Sequence, residues 1–392
     1  MKEAVITGAA RTAIGSFMGS LADIAAPRLG AAVIVEAASR GGVRKDEIEQ
    51  VIMGNVLSAG VKQAPARQAG IYAGLPASAG ALTISKMCGS GLKAVMLAAQ
   101  SVATDEFEVV AAGGMESMSQ APYILKKARA GYRLGNDELY DHLMIDGLLD
   151  AYQDIHMGNC AEVLSREYKI GREEQDEYAA RSYGRALAAI RDKAFEREIV
   201  KVEIPRKKGD SVAFLVDEEP GRGNVAKLST LKPAFEKGGT VTAGNASTLN
   251  DGAAAVIVMS ADGARKRGIR PLARIVGYST ASQEPVWFTT APIAAIGKLL
   301  GKTGIDKDRV GLFEINEAFS SVAIAAIRSL KLDPERVNVR GGAVALGHPV
   351  GASGARILTT LLYAMEERGE RYGVASLCIG GGEAVAMLVE RA

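Results

Sequence analysis

Hydrophobic positions in the first 118 residues alternate between short continuous runs and helical spacing. The continuous runs predict strands at 3–7, 51–53, 81–85 and 108–112. Helical spacing predicts helices over 27–39, which begins with a proline, and over 89–101. Strands that alternate with helices indicate an α/β fold built on a largely parallel sheet.

Residues 119–249 follow a different pattern, with denser charge and a fading alternation. The clearest periodicity there predicts a long amphipathic helix over 173–195. We interpret 119–249 as an inserted loop domain. The alternation then resumes, with predicted strands at 253–259, 311–315, 374–379 and 384–389 and helices over 293–300 and 317–330.

Two segments, one from each half of the chain, share the same predicted order of elements. The segments TISKMCGSGLKAVMLAA and LFEINEAFSSVAIAAI both read as a strand, a sharp turn and a helix. A duplicated α/β unit would produce this echo. The sequence therefore predicts an N-terminal half over 1–118, completed by 250–270, and a C-terminal half over 271–392.

Composition narrows the class of protein. The net charge is +2, so no bulk charge directs the chain toward nucleic acid or an anionic membrane. Three cysteines are too few and too scattered for a disulfide framework. The sequence has no signal-peptide pattern and no apolar stretch near the ~20 residues that span a bilayer, so we expect a cytoplasmic protein.

Cys88 is the first candidate for chemistry, because it lies between a predicted strand and a predicted helix start in the sequence KMCGSG. The positive end of a helix favours a thiolate, which suits reversible acyl transfer. The alternative is a small buried core cysteine.

Three further candidates lie in similar turns. His348, in GGAVALGHPVGASG, is a candidate general base, and its alternative is an exposed turn histidine. Cys378, in SLCIGGG, is expected at a sheet edge beside free amides that could bind an oxyanion. Asn316 stands at a strand–helix junction, where the alternative is a helix cap.

These blocks, in this order, resemble the thiolase family from end to end. The resemblance is carried by CGSG, GGMESMSQAPY, HMGNCAE, GNASTLNDGAAA, NEAF, GHPVGASGAR and CIGGG. The subgroup that looks most similar is the acetyl-CoA acetyltransferases, also called acetoacetyl-CoA thiolases. The resemblance implies two similar halves, each with a mixed five-stranded sheet, stacked as a five-layered αβαβα fold.

The resemblance also implies a mechanism. Cys88 would carry the acyl group, His348 would take its proton, and Cys378 would exchange a proton with the α-carbon of acetyl-CoA. Asn316 and His348 would stabilise the enolate oxygen, while the amides of Cys88 and Gly380 would serve the tetrahedral intermediate. The residues implied to contact coenzyme A or the acyl group are Leu148, His156, Met157, Ala243, Ser247, Phe288, Ala318 and Phe319.

The expected substrates are acetyl-CoA, acetoacetyl-CoA and coenzyme A, with no metal or redox cofactor, in a homotetramer. Some positions depart from the family pattern. Ser85 replaces a common asparagine, Trp287 and Phe288 add bulk near the expected acyl pocket, and 219–230 leaves Arg222 and Lys227 as candidate phosphate contacts.

Several alternatives stay open at this stage. A thiolase with longer-chain 3-ketoacyl-CoA specificity and a non-catalytic acyl-CoA- or lipid-binding relative are the nearest. A nicotinamide-dependent oxidoreductase is disfavoured by the spacing in VITGAARTAIG. A decarboxylating ketoacyl synthase is disfavoured because Asn316 stands where its histidine would be expected.

Overall fold

The computed structural model describes residues 1–206 and 209–392. Its strands are β1 Ala4–Thr12, β2 Gly15–Ser16, β3 Gln50–Gly54, β4 Gly80–Ile84, β5 Val109–Ser117, β6 Tyr123–Ile124, β7 Tyr140–Asp141, β8 Ile199–Val200, β9 Val202–Ile204, β10 Val212–Phe214, β11 Asn250–Ser260, β12 Ala273–Ser282, β13 Leu312–Ile315, β14 Tyr372–Ile379 and β15 Glu383–Arg391.

The α-helices are α1 Ala26–Arg40, α2 Pro65–Tyr72, α3 Ser90–Ala103, α4 Met157–Glu167, α5 Arg172–Arg191, α6 Glu219–Arg222, α7 Ala261–Lys266, α8 Ala291–Thr303, α9 Ser320–Leu330, α10 Ala343–Leu346 and α11 Ser353–Arg368. A single π-helical turn covers Met144–Leu148. Among the described residues, no helix is both long and apolar enough to cross a membrane.

The main sheet repeats one topology twice. Its strand order is β13-β14-β15-β12-β1-β11-β5-β3-β4. In the N-terminal half β3 runs parallel to β5, and β5 pairs antiparallel with β11, which pairs antiparallel with β1. The strands β13, β14, β15 and β12 repeat these relations in the C-terminal half.

Small irregularities are repeated as well. The β1–β11 ladder shifts register between Ile6 and Gly8, and the β12–β15 ladder shifts between Ile275 and Gly277. A bulge at the same place in both halves is a specific feature of a strand pair. The internal echo in the sequence is therefore a structural duplication.

Apolar side chains divide the molecule into five layers. One core cluster joins α1 and α2 to the outer face of the N-terminal sheet. A second joins α3 and α11 to both sheets, so these two helices form the central layer. A third joins α8 and α9 to the outer face of the C-terminal sheet. The expected αβαβα fold is confirmed. The expected five strands in each half need correction, because the C-terminal half contributes the four strands β13, β14, β15 and β12, and β12 pairs with β1 so that the two halves share one continuous sheet.

Two predicted helices have different ends in the structure, and three further helices were not predicted. The helix predicted over 317–330 begins at Ser320, because the amide of Ser247 donates to the Ala318 carbonyl and holds the preceding residues extended. The helix predicted over 173–195 ends at Arg191, before a left-handed Lys193. Helices α2, α4 and α11 were not predicted, since their apolar patterns are interrupted or buried on all sides.

Candidate active site

One cavity of about 520 Å³ is lined by residues of both halves and of the inserted segment. Its volume and mainly apolar lining suit a small organic ligand. The lining includes these predicted site residues: Cys88, Leu148, His156, Met157, Ala243, Ser247, Phe288, Ala318, Phe319, His348 and Gly380. Residues that are far apart in sequence thus share one surface.

Cys88 ends the turn between β4 and α3. The residue before it, Met87, has φ 43°, a left-handed conformation that is strained for a side chain of this type. Burial raises the pKa of the Cys88 thiol, the amides of Gly380 and of Cys88 itself oppose this, and the resulting pKa is about 11. The amides at this helix start favour a thiolate, but burial outweighs them, so Cys88 rests as a thiol and a base would be needed to ionise it.

His348 is buried and its hydrogen bonds define its tautomer. Its Nδ1 lies 2.6 Å from the Ser353 hydroxyl, which in turn donates to the Pro349 carbonyl at 2.9 Å. Because the Ser353 proton is used for Pro349, the Ser353 oxygen accepts from Nδ1–H. The Nε2 atom then carries the free lone pair, and no described protein group bonds to it.

The charge state of His348 suits a base. Burial, with a contribution from the Arg356 charge, lowers its pKa to about 3, so the ring is neutral at pH 7. The loop is held by Asn250, whose Oδ1 accepts from the His348 amide at 2.8 Å. Gly347 has φ 100°, and a Cβ there would lie 2.3 Å from Asn250 Oδ1. Only glycine fits this position.

Cys378 lies at the end of β14, immediately before the turn that contains Gly380. Strand β14 pairs with β13 and β15, but its pairing with β13 ends at Ser376, so at Cys378 only the β15 side is paired. The side chain is fully buried in a cluster with Phe288 and Phe319. Burial, followed by the charge of Cys88, raises the Cys378 pKa well above its ordinary value. Cys378 therefore rests as a thiol beside the nucleophile.

Asn316 follows β13 and is not a helix cap, since α9 starts at Ser320 with Phe319 as its N-cap residue. Its amide donates to the Ser376 carbonyl at 3.0 Å, which fixes it next to the strand that carries Cys378. Both polar atoms of its side chain are buried, and no described protein group bonds to them. A buried amide without a protein partner is suited to a ligand or bridging group.

The expected coenzyme A contacts surround the cavity mouth. His156 caps α4, accepting from the Gly158 amide through Nδ1 at 3.0 Å, and its ring stacks on Phe235 with centroids 4.6 Å apart. Arg222 lines the cavity, while Lys227 does not belong to its lining. Phe288, 2% exposed, lines the cavity and lies in the same buried cluster as Phe319.

Residues 4–262 match the family model of the thiolase N-terminal domain, and residues 269–391 match that of the thiolase C-terminal domain. The chain belongs to the thiolase family. It is 52% identical over 392 residues to the acetyl-CoA acetyltransferase of Cupriavidus necator, with 100% of both chains covered. It is 50% identical over 392 residues, again covering both chains in full, to the acetyl-CoA acetyltransferase of Pseudomonas aeruginosa.

Solved thiolase structures superpose closely on this chain. The crystal structure of the Bacillus anthracis acetyl-CoA acetyltransferase has a TM-score of 0.98 and 44% identity, covering 100% of this chain and 99% of that one. A thiolase from Ascaris suum in complex with coenzyme A has a TM-score of 0.95 and 43% identity, with 100% of both chains covered.

Sequence reasoning about this thiolase missed several side chains that shape the site. Ser353 and Asn250 hold His348, and Phe235 stacks on His156. Their positions within the family motifs could have identified two of them. Ser353 is in the same glycine-rich block as His348, and Asn250 ends the GNASTLN block. No periodicity links these residues, because their contacts are made across loops.

Removing the Ser353 hydroxyl is expected to disturb the tautomer of His348. In Ser353→Ala the Nδ1–H loses its acceptor, so we expect an about 10²-fold lower rate from the misplaced base. Nitrogen-15 NMR of the imidazole would show a mixture of tautomers in place of Nδ1–H. Ser353→Thr, which keeps the hydroxyl, is the matched control. An unchanged imidazole spectrum and rate in Ser353→Ala would contradict the assigned tautomer.

Proposed function

We propose that this chain is an acetyl-CoA C-acetyltransferase. It would join two acetyl-CoA molecules into acetoacetyl-CoA and coenzyme A, and catalyse the reverse thiolysis. The observation that carries the proposal is the shared cavity of Cys88 and His348, with the Gly380 amide directed at the Cys88 sulfur. The full-length similarity to acetyl-CoA acetyltransferases supports the same conclusion.

Thiolysis would begin at the ketone carbon of acetoacetyl-CoA. His348 Nε2 takes the Cys88 proton as the sulfur attacks, because the thiol pKa of about 11 leaves little thiolate at pH 7. The amides of Cys88 and Gly380 would donate to the oxyanion that forms. Collapse of the intermediate breaks the carbon–carbon bond and leaves an acetyl group on Cys88.

The departing fragment is the enolate of acetyl-CoA. The Cys378 thiol would donate its proton to the enolate carbon, while protonated His348 and Asn316 stabilise the enolate oxygen. Coenzyme A then attacks the acetyl-Cys88 carbonyl and passes its thiol proton to the Cys378 thiolate. His348 returns the first proton to the Cys88 sulfur, which restores the resting state. Condensation follows the same steps in reverse.

These steps are transfers of protons and acyl groups, so the proposal includes no metal or redox cofactor. Among the described residues, no group of three or more His, Cys, Asp or Glu side chains is arranged to hold a metal ion. The acyl groups arrive as coenzyme A thioesters, for which the solved Ascaris suum thiolase complex with coenzyme A is a structural parallel.

We also propose that the enzyme is specific for short acyl chains. Phe288 lines the cavity and belongs to one buried cluster with Phe319 and Cys378. A buried aromatic ring there leaves room for a two-carbon acyl group and excludes longer ones. The alternative of a longer-chain 3-ketoacyl-CoA thiolase requires space that the Phe288 ring fills.

The decisive experiment is thiolysis of acetoacetyl-CoA, followed by loss of its enolate absorbance, beside a six-carbon 3-ketoacyl-CoA. We expect the four-carbon substrate to be strongly preferred. In Phe288→Ala the freed volume should raise kcat/KM for the longer substrate about 10-fold or more relative to acetoacetyl-CoA, since each buried methylene contributes ~0.8 kcal/mol.

Trp287→Ala is the control for the loss of a neighbouring aromatic residue. Equal activity of the wild-type protein on both substrates would reject the short-chain proposal and keep the thiolase mechanism. Absence of activity on both substrates, with retained coenzyme A binding, would favour a non-catalytic acyl-CoA-binding relative.

We further propose a cytoplasmic homotetramer. Two surfaces support association of subunits. The edge strand β4 exposes Leu82, and the hairpin of β6 and β7 exposes Tyr123, Leu125, Leu134 and Leu139. Exposed apolar groups on an edge strand and a projecting hairpin are suited to protein contacts. The subunit number would be measured by analytical ultracentrifugation.

A further inference from the structure

Glu116, at the end of β5, is a fully buried carboxylate that the proposed mechanism does not use. Its Oε1 accepts from the Asn55 side chain at 2.7 Å and from the Leu57 amide at 3.1 Å. Its Oε2 accepts from the Val56 amide at 3.0 Å and from the Gly351 amide at 2.8 Å. One carboxylate thus joins the segment after β3 to the loop that carries His348.

The Gly351 peptide is enclosed on its other side by glycines. A Cβ on Gly54 would lie 2.7 Å from the Gly351 carbonyl oxygen, and a Cβ on Gly114 would lie 1.9 Å from it. A Cβ on Gly91 would lie 3.2 Å from the same oxygen. Gly351 follows His348 by three residues, as Gly91 follows Cys88. This junction therefore sets the His348 loop against the start of the Cys88 helix.

In the duplicated fold, Glu116 is the N-terminal counterpart of Cys378 in the C-terminal half. Gly54 pairs with Gly114, two residues before Glu116, and Asn55 follows directly. In the other half Ile315 pairs with Ser376, two residues before Cys378, and Asn316 follows directly. The strand ends that carry Asn316 and Cys378 in the C-terminal half thus carry Asn55 and Glu116 in the N-terminal half, where the pair is hydrogen-bonded.

Glu116 also borders the nucleophile. Its partner Leu57 and Val350, the residue before its partner Gly351, pack with Met118 and Leu143 in a small apolar cluster. Cys88 contacts this cluster. The negative charge of Glu116 contributes to the raised pKa of Cys88. The carboxylate therefore acts on Cys88 through packing and charge, without a direct hydrogen bond.

We propose that ionised Glu116 is a positioning residue that holds the Gly351 peptide and residues 55–57 so that His348 and Cys88 keep their reactive geometry. The inference rests on the proposed acyl transfer at Cys88. A neutral side chain at this place accepts fewer of the four hydrogen bonds, because one of its two polar atoms carries hydrogen. The Gly351 amide or a neighbouring amide then loses its partner, and the loop moves.

If ionised Glu116 holds this geometry, the activity should depend on the protonation of its carboxylate. Burial raises the pKa of Glu116 to about 7, although its four hydrogen bonds act in the opposite direction. Its partners from residues 55–57 and 351 are uncharged. On the adjoining strand β11, Asp251 lies opposite Ser117, and burial raises its pKa above the ordinary value. The titratable groups of the adjoining loops are Cys88 and His348. Their pKa values of about 11 and about 3 lie far from 7. Activity of the free protein should therefore fall as the pH decreases through about 7.

The experiment measures exchange of labelled coenzyme A into acetyl-CoA as a function of pH, in wild type and in Glu116→Gln. We expect kcat for exchange to fall about 10–100-fold in the variant. The acid limb of the wild-type profile, which is the fall in rate as the pH decreases through about 7, should be absent from the variant. The matched control is Glu162→Gln, which also removes a buried carboxylate that accepts from backbone amides, those of Thr240 and Val241. The control should keep the acid limb.

A wild-type profile without a limb near pH 7, or a limb retained in Glu116→Gln, would overturn the proposal. Alkylation of Cys88 by iodoacetamide, mapped by mass spectrometry, provides a test that needs no acyl transfer. Loss of the Glu116 charge should lower the Cys88 pKa and speed alkylation at fixed pH. If the wild-type protein lacks exchange but the alkylation difference remains, the proposed function fails and the positioning role stands. Equal alkylation of both proteins would overturn the positioning role.

Discussion

Cys88→Ala should lower kcat for acetoacetyl-CoA thiolysis by about 10⁴–10⁶-fold, because no other described group can carry the acetyl intermediate at that point of the cavity. Intact-protein mass spectrometry after addition of acetyl-CoA should show an acetylated wild-type chain and an unmodified variant. The absorbance assay and the mass measurement test the same role independently.

Cys160→Ala is the matched control for loss of a cysteine. Cys160 is buried in α4 and does not line the cavity, so its removal should leave thiolysis within a few-fold of wild type. Thiolysis by Cys88→Ala within tenfold of the wild-type rate would show that another group is the nucleophile.

The second large effect is expected from Cys378→Ala, which should separate the two halves of the reaction. In exchange from acetyl-CoA no enolate forms, so Cys378 stays a thiol. His348 takes the Cys88 proton and passes it to the departing coenzyme A sulfur, and labelled coenzyme A should therefore still exchange. Thiolysis and condensation require a proton at the α-carbon, and their rates should fall by about 10²–10⁴-fold. Both rates, coenzyme A exchange and acetoacetyl-CoA thiolysis, should be measured on the same preparation of the variant.

Cys378→Ser is an informative companion variant. A hydroxyl is a far weaker acid than a thiol, so serine keeps the shape and most of the volume but should also fail in the carbon–carbon step. Loss of exchange together with thiolysis would contradict the assigned division of roles. Such a result would place Cys378 in the acylation step as well.

The sequence determined the fold class and much of the site through motifs. Strand and helix alternation predicted an α/β protein, and the echo around Cys88 and Asn316 predicted a duplication. Both were confirmed by the repeated strand order and by the family match. The predicted roles of Cys88, His348, Cys378 and Asn316 stay predictions. The structure places Cys88 and His348 in the cavity lining and packs Cys378 with the lining residues Phe288 and Phe319, while Asn316 is hydrogen-bonded to the strand that carries Cys378.

Only the tertiary structure decided the charge states. The sequence places Cys88 at a helix start, which favours a thiolate, yet burial outweighs the amides and raises the pKa of the thiol to about 11. Burial likewise makes His348 a neutral base with a pKa of about 3. Desolvation depends on everything that surrounds a group in space, so no local sequence pattern reports it.

The supporting residues were decided in the same way. Ser353 is five residues from His348, and Glu116 is 235 residues from Gly351, yet each makes a direct hydrogen bond to its partner residue. A hydrogen bond across loops depends on where the two halves dock, and helical or strand periodicity carries no signal for it. What the sequence determined was the fold class and the family resemblance, and from these it predicts the reacting groups. What folding decided was their protonation and the contacts that hold them in place.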